Sequence, residues 1–230
     1  VVNGYDLRAV RLDGTCDQLV VTAPGDDLSP SWDAGTGRLV WTGSRGGVGR
    51  LVAMDLHDRV ERVLDTGPHL PASPTLTPDG TAVVYEDRAF RSPTSTQTTS
   101  DLFKIPFAGG APVQLVANLD SPLQSDSGPA FSPDGQALYF VRTVFSTSPQ
   151  GVESTTILLM RASASGTGAL ALATVNTLIG KPAISGDGTR LAYAVASTTP
   201  GSFSRIVLRS LVAVESRVLS DQGDSEPAFP

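Results

Sequence analysis

Acidic residues recur at one position in this sequence, three residues before a proline. Asp27, Asp126 and Asp224 each occupy that position, and Glu226 lies directly before a proline. Carboxylates that converge from separate parts of a chain can accept hydrogen bonds from a basic peptide or hold a hard cation. The same residues can instead bond backbone N–H groups within their own turns. The spacing leaves both alternatives open.

Residue types that drive catalysis are scarce. The two histidines, His57 and His69, fall in turns predicted at opposite ends of the strands, so they cannot share a zinc ion. No Gly-x-Ser-x-Gly sequence presents a nucleophilic serine. Residues 166–171 resemble a dinucleotide fingerprint but lack the helix that such a site needs. The alternating acids of a calcium loop are absent as well. We therefore expect no catalytic residue, metal or cofactor.

Composition excludes several classes of partner. The chain has 230 residues, 17 basic against 23 acidic, and a net charge of −6. Without a basic cluster, neither nucleic acid nor an anionic membrane surface is an expected partner. No apolar run reaches the ~18 residues of a membrane span. The single cysteine excludes an internal disulfide. Many glycines and prolines with few aromatics favour short strands and turns.

A short motif repeats along the whole chain, roughly 45 to 55 residues apart, which is typical of a propeller blade. Its Pro-Asp-Gly step predicts a tight turn between two strands, because proline fixes φ, aspartate bonds its own backbone and glycine accepts a positive φ. The copies are Pro74–Gly80, Pro129–Gly135 and Pro182–Gly188, a looser one at Pro30–Gly37, and the start of a fifth at Pro227–Pro230.

Three further strand-like segments follow each copy's first strand, and helical periodicity is missing. We therefore predict an all-β protein, a β-propeller of four-stranded antiparallel blades. It has four complete repeats and partial blades at both ends, either as a five-bladed propeller or as part of a larger one. The predicted single domain spans 1–230, with a partial blade at 1–28, blades at about 29–72, 73–127, 128–180 and 181–225, and the next blade from 226–230.

Large apolar residues also recur in register, which predicts packing between neighbouring blades. One set follows the repeat prolines at a fixed offset, and a second set lies in the second strands. The first set is Trp32, Phe131, Ile184 and Phe229; the second is Trp41, Tyr85, Phe140 and Tyr193.

Pro129–Gly135, followed by an apolar-aromatic strand, resembles the repeat of TolB-like propellers, a Pro-Asp variant of the WD-type group. Ser132–Gly135 is the clearest copy; Gly186 replaces the usual proline, and the turn at 33–37 is degenerate. The resemblance implies a bacterial, periplasmic or extracellular module that binds proteins, or a non-catalytic domain of a larger enzyme.

Loop lengths predict where binding occurs. We call the ends of the blades that carry the Pro-Asp-Gly turns the lower end, and the opposite ends the upper end. The long segments 89–100, 144–154, 196–204 and 117–128 all fall at the upper end, where repeat proteins usually bind. Solvated loops without a function are the alternative. The candidate binding residues are Asp27, His69, Asp126, Lys181, Asp224 and Glu226.

The sequence favours a non-enzymatic scaffold that binds a protein or peptide, a basic one among the candidates, through these upper loops. One alternative is a propeller that gates or supports a hydrolase of the prolyl oligopeptidase type. Another is a propeller with its own active site, such as a sugar lyase, which the scarcity of catalytic groups disfavours.

Overall fold

A computed structural model describes residues 4–67, 70–90, 98–116, 124–175, 178–196, 204–213 and 216–219. Every regular element in those ranges is a β-strand. Within them, no helix is long and apolar enough to cross a membrane. His69, Asp224, Glu226 and Phe229, which the sequence singles out, lie outside the described residues.

Eighteen strands occupy the described residues, and they form one two-stranded and four four-stranded antiparallel sheets. The two-stranded sheet is β1 (Leu7–Ala9) and β2 (Gln18–Val21). The first blade is β3 (Asp27–Asp33), β4 (Arg38–Arg45), β5 (Val48–Asp55) and β6 (Glu61–Leu64). The second is β7 (Leu70–Leu76), β8 (Ala82–Phe90), β9 (Thr98–Pro106) and β10 (Val113–Val116). The third is β11 (Gln124–Phe131), β12 (Ala137–Thr147), β13 (Glu153–Ser163) and β14 (Leu170–Val175). The fourth is β15 (Leu178–Ile184), β16 (Arg190–Val195), β17 (Arg205–Ser210) and β18 (Ser216–Val218).

Each blade is a meander in which consecutive strands pair. The first strands of successive blades pack beside one another, β3 with β7, β7 with β11 and β11 with β15. These inner strands therefore line a channel, while the fourth strands lie at the outer edges. The predicted all-β propeller of four-stranded antiparallel blades is confirmed.

The lower turns are held together by a hydroxyl that the sequence analysis did not single out. In the second blade, Thr77 Oγ1 donates to Asp79 Oδ1 over 2.5 Å and accepts from the Ala82 N–H over 3.0 Å. Asp79 also accepts the N–H of Thr81, as predicted. Ser132 with Asp134, and Ser185 with Asp187, make the same contacts in the next two blades. The sequence indicates this contact through a Ser or Thr two residues before each of these aspartates.

We predict that Thr77→Val lowers the free energy of unfolding by about 1–3 kcal/mol, because the buried N–H of Ala82 loses its acceptor. Thr77→Ser keeps the hydroxyl and should stay close to the native value. Urea unfolding monitored by circular dichroism measures both variants, and equal losses in the two would contradict this explanation.

The same hydroxyl gives the turn a dependence on pH. Hydrogen bonds from Thr77 and Thr81 lower the pKa of Asp79 to about 2. A carboxyl whose pKa is depressed on folding contributes stability above its unfolded pKa and loses it as the pH falls through the folded value. In Thr77→Val this loss in acid should be smaller, since the largest cause of the shift is gone.

The core confirms the second-strand set of apolar residues and corrects one member of the other set, Trp32. Trp41, Tyr85 and Phe140 are fully buried, and Tyr193 is 5% exposed. Trp32 is 62% exposed, so its predicted burial between blades is wrong. It lies on an inner strand and lines the channel together with Phe131 and Ile184. Phe131 and Ile184 are only partly buried, yet each packs against a hydrophobic cluster between two neighbouring blades, as predicted.

The upper end is built differently from the prediction in the third blade. Residues 144–147 pair with 153–156, so β12 and β13 are eleven-residue strands that continue where a loop was expected. Their turn is closed by the N–H of Ser148 bonding the carbonyl of Val152. The corresponding hairpin of the first blade is shorter. Only two glycines with a left-handed backbone, Gly46 and Gly47, separate its paired strands β4 and β5. The long hairpin at 144–156 is a projecting ribbon, which we call the upper hairpin.

Candidate functional site

All four inner strands bulge at the same place, beside the repeat proline. In β3, β7 and β11 the pairing with the second strand shifts by one extra residue. The residue before the proline there has a left-handed backbone: Ser29, Ser73 and Gly128. Bulges of this kind re-aim side chains and are frequent beside functional sites. The bulges set the shape of the channel wall.

The fourth inner strand has a larger bulge, and Lys181 is part of it. Between the pairs Ile179–Ala194 and Ala183–Ala192, β15 carries two extra residues instead of one. Gly180 takes the left-handed conformation, and Lys181 follows it before the proline. The Lys181 Nζ reaches across to the second blade and donates to the carbonyl oxygen of Pro74 over 3.3 Å. The enlarged bulge thus places an amine in the channel.

Two cavities follow the channel, one in its lower half and one in its upper half. The lower cavity, about 620 Å³, is lined by residues of all four inner strands, among them Trp32, Phe131 and Lys181. The upper cavity, about 200 Å³, is lined by Glu86, Arg88 and Thr143 among others. Both are lined by Ser73 and Gly180, so they adjoin at the level of the bulges.

The charges of the channel are arranged around Glu86, which is almost fully buried. Its Oε1 accepts the N–H of Gly128 over 2.8 Å, and its Oε2 accepts from Arg88 over 3.0 Å. Burial lowers the pKa of Lys181 to about 8, and attraction to Glu86 opposes that effect. The amine is therefore mostly protonated near pH 7, and it is poorly solvated.

Asp126 does not present its carboxylate to solvent. It is fully buried, and Arg142 on the neighbouring strand donates to both of its oxygens over 2.7 Å. The two residues are direct cross-strand partners. Burial raises the pKa of Asp126, opposed by the hydrogen bonds from Arg142, whose own pKa Asp126 raises. The pair joins the first two strands of its blade.

Asp27 has a related but not identical environment. It is 2% exposed, and its Oδ1 accepts from Trp41 Nε1 over 2.7 Å and from Arg45 over 2.8 Å. The residue opposite it is Gly43, and a Cβ there would come within 2.8 Å of the Arg45 guanidinium. Glycine thus opens the space through which Arg45 reaches the carboxylate, whereas in the third blade the arginine is directly opposite.

The predicted ring of exposed acids therefore needs correction for its two described members. Asp27 and Asp126 bind arginines of their own blades and are inaccessible, and neither serves as the backbone cap that was the alternative. Lys181 lies within an inner strand and not at the upper end, where it was predicted. The structure does not bring these three residues into one surface. A binding role for any of them stays a prediction.

Glu86 and Arg88 are the channel residues that sequence reasoning missed. Glu86 ends the predicted second strand of its blade and Arg88 lies just beyond it, and neither residue type recurs at the equivalent position of the other blades, so no in-register signal marks them. The sequence does mark Lys181 as unusual. It stands between Gly180 and Pro182, whereas in the third blade the equivalent glycine and proline are adjacent. Among the described residues, no group of three metal-ligating side chains converges. His57 lies at the lower end, where its Nδ1 is 2.9 Å from Oδ1 of Asp55.

Solved structures with the same fold support the propeller assignment. TolB from Acinetobacter baumannii matches 97% of this chain with a TM-score of 0.73 at 18% identity. Oligogalacturonate lyase from Vibrio parahaemolyticus matches 94% with a TM-score of 0.65 at 12% identity. A puromycin-hydrolysing peptidase of Mycobacterium tuberculosis matches 84% with a TM-score of 0.64 at 14% identity. At these identities the likeness shows the fold alone.

The matched regions are parts of longer chains. This chain spans 51% of the TolB structure, 60% of the lyase and 32% of the peptidase. No family model and no curated protein sequence matches it. The resemblance to TolB-like propellers that the Pro-Asp-Gly repeat predicts thus agrees with the structural match to TolB.

Proposed function

We propose that this propeller is a non-enzymatic scaffold that binds a protein or peptide segment at its upper end, outside the cytoplasm. The observation that carries the proposal is the difference between the two ends of the blades. Hydroxyl–aspartate networks close the lower turns of three blades. At the upper end, the third blade projects the upper hairpin, most of whose side chains are exposed.

The upper hairpin has the properties of a recognition surface. Its strands are fixed by continuous pairing from Ala137–Ser163 to Thr147–Glu153, so it is a rigid ribbon that costs little ordering entropy on binding. Ser146 and Ser154 face each other with their hydroxyls 2.7 Å apart, and Val152 is 64% exposed. Hydroxyls beside an exposed apolar side chain suit contacts with a peptide backbone. The location outside the cytoplasm is supported by the resemblance to TolB-like propellers.

Shortening the upper hairpin tests the proposal. Residues 146–154 are replaced by Gly-Gly, which copies the turn of the first blade at Gly46 and Gly47. Peptides selected from a displayed library on the native chain should lose at least about tenfold in affinity, since the contacts of a central recognition element carry most of the binding energy. Calorimetry measures the dissociation constants.

The control is His57→Ser, which changes an exposed residue at the lower end. It should leave the affinities of the selected peptides unchanged. If the shortened variant binds these peptides as tightly as the native chain does, the upper end is not the binding surface.

A second candidate is a propeller that serves a hydrolase outside this chain. The match to the peptidase, which covers 32% of that protein, favours it, because a propeller there occurs within a much longer chain. In that case the upper end would face a catalytic domain instead of a separate partner. Peptide selection distinguishes the two candidates. If a catalytic domain of the same protein covers the upper end, peptides that bind there are obtained with this chain but not with the longer protein.

A further inference from the structure

Lys181 has hydrogen-bonding capacity that its surroundings do not use. An ammonium group has three donors. Within the described part of the chain, the Lys181 Nζ donates to one acceptor, the carbonyl oxygen of Pro74. The residue lines the lower cavity of about 620 Å³, a volume within the range of small-ligand sites. The remaining donors are available to a ligand in that cavity.

Glu86 is the acidic residue whose charge acts on Lys181, and its carboxylate already has hydrogen-bond partners. Both of its oxygens accept hydrogen bonds, from the Gly128 N–H and from Arg88. It attracts the lysine without neutralising it through a direct hydrogen bond. A second anion in the lower cavity would therefore meet a positive group in a poorly solvated place, where charge-assisted hydrogen bonds are strong.

The rest of the lower cavity has one apolar side formed by three large side chains, beside a comparable hydroxyl-bearing surface that includes Ser31 and Thr75. Trp32, Phe131 and Ile184 occupy equivalent positions on three inner strands and line it below the bulges. Trp32 is 62% exposed in spite of its size, which leaves a large aromatic surface open to the cavity. An aromatic wall with one cation suits a ligand that has an apolar body and one anionic end.

We propose that the lower cavity binds a carboxylate attached to an apolar group, with Lys181 as the residue that holds the carboxylate. The ligand is a free small acid or the C-terminal carboxylate of a peptide with a bulky last residue. This site lies in the lower half of the channel, so the proposal does not depend on binding at the upper hairpin. The enlarged bulge of β15 is the structural feature that places Lys181 in this cavity.

Calorimetry with matched probes tests the carboxylate. We expect 3-phenylpropanoate to bind at least about tenfold more tightly than 3-phenylpropanamide, which has the same body without the charge. Lys181→Met should abolish that preference, and Lys104→Met, which changes the one other lysine of the sequence, should preserve it. Equal affinities for acid and amide, or an acid affinity unchanged in Lys181→Met, would overturn the proposal.

Nuclear magnetic resonance of the native chain gives a test that needs no variant. With lysine labelled with carbon-13 at Cε, two side-chain signals are expected, and Lys181→Met assigns them. The pKa of Lys181, about 8 without ligand, should rise in saturating 3-phenylpropanoate. An unchanged pKa at saturation would contradict direct contact between the amine and the carboxylate.

The peptide Ala-Ala-Phe, with a free or an amidated C-terminus, distinguishes the two sources of ligand. Binding of the free form assigns the site to peptide C-termini, and its failure beside binding of 3-phenylpropanoate assigns it to small acids. Peptides selected against the upper hairpin should bind Lys181→Met as they bind the native chain, so the two proposals fail separately.

Discussion

Trp41→Ala is expected to lower the free energy of unfolding by about 3–5 kcal/mol, one of the largest effects available in this chain. Trp41 is fully buried and packs with Leu7, Val21 and Val52, so it joins the first blade to the β1–β2 hairpin. Alanine would remove the transfer free energy of the indole and leave a cavity that the paired strands cannot close. Urea unfolding followed by circular dichroism measures the loss.

The chain contains its own matched control. Trp32→Ala removes the same side chain from an exposed position and should change stability by less than about 0.5 kcal/mol. Trp41→Phe keeps most of the apolar volume but deletes the donor to Asp27 Oδ1, so its loss should lie between the two. A loss below about 1 kcal/mol in Trp41→Ala would mean that the β1–β2 hairpin contributes little to the packing of the first blade.

The blade architecture was predictable from the sequence because local chemistry and repetition agree. The Pro-Asp-Gly step specifies a tight turn by itself, and its recurrence places the second strand of each blade within a few residues. The degenerate copy folds the same way for a related reason. There Thr36 supplies the hydroxyl and Asp33 the carboxylate, joined over 2.6 Å, so the two groups exchange places along the chain. The turn forms with the hydroxyl and the carboxylate in either order, so the predicted turn is present in this copy as well.

The candidate site was less predictable because position in a blade does not determine what a side chain faces. Asp27 and Asp126 have equivalent spacing, yet the arginines that cover them, Arg45 and Arg142, stand at different positions of the second strand. The spacing of the acids was visible in the sequence, but the partners that bury them were not. Lys181 shows the opposite case, since a one-residue irregularity in the repeat marks the amine that enters the channel.

Arg142→Met is expected to lower the free energy of unfolding by about 3–5 kcal/mol, because it leaves the carboxylate of Asp126 buried without a partner. The native pair is bidentate and largely shielded from water, with 15% of the arginine side chain exposed. Arg8→Met is the control at the surface. Arg8 and Asp17 form an ion pair whose side chains are both more than half exposed, so this variant should unfold at the native urea concentration.

The double variant Asp126→Leu with Arg142→Met separates the cost of an unpaired charge from the value of the pair. A buried ion pair replaced by apolar residues of similar size is often close to neutral in stability. We therefore expect the double variant to be more stable than Arg142→Met alone, which corresponds to a coupling between the two sites. If the double variant is the less stable of the two, the loss in Arg142→Met comes from packing of the arginine stem and not from the charge.

The dependence on pH provides an independent measurement of the same cause. Burial already raises the pKa of Asp126, and without Arg142 nothing on that residue opposes the shift. A carboxyl whose pKa is raised on folding contributes its stability below the unfolded pKa and loses it as the pH rises through the folded value. The deficit of Arg142→Met relative to the native chain should therefore be larger at about pH 8 than at about pH 5. A deficit that is independent of pH would show that Asp126 is neutral in the variant throughout this range or has become solvated, and either result removes the unpaired buried carboxylate as the cause.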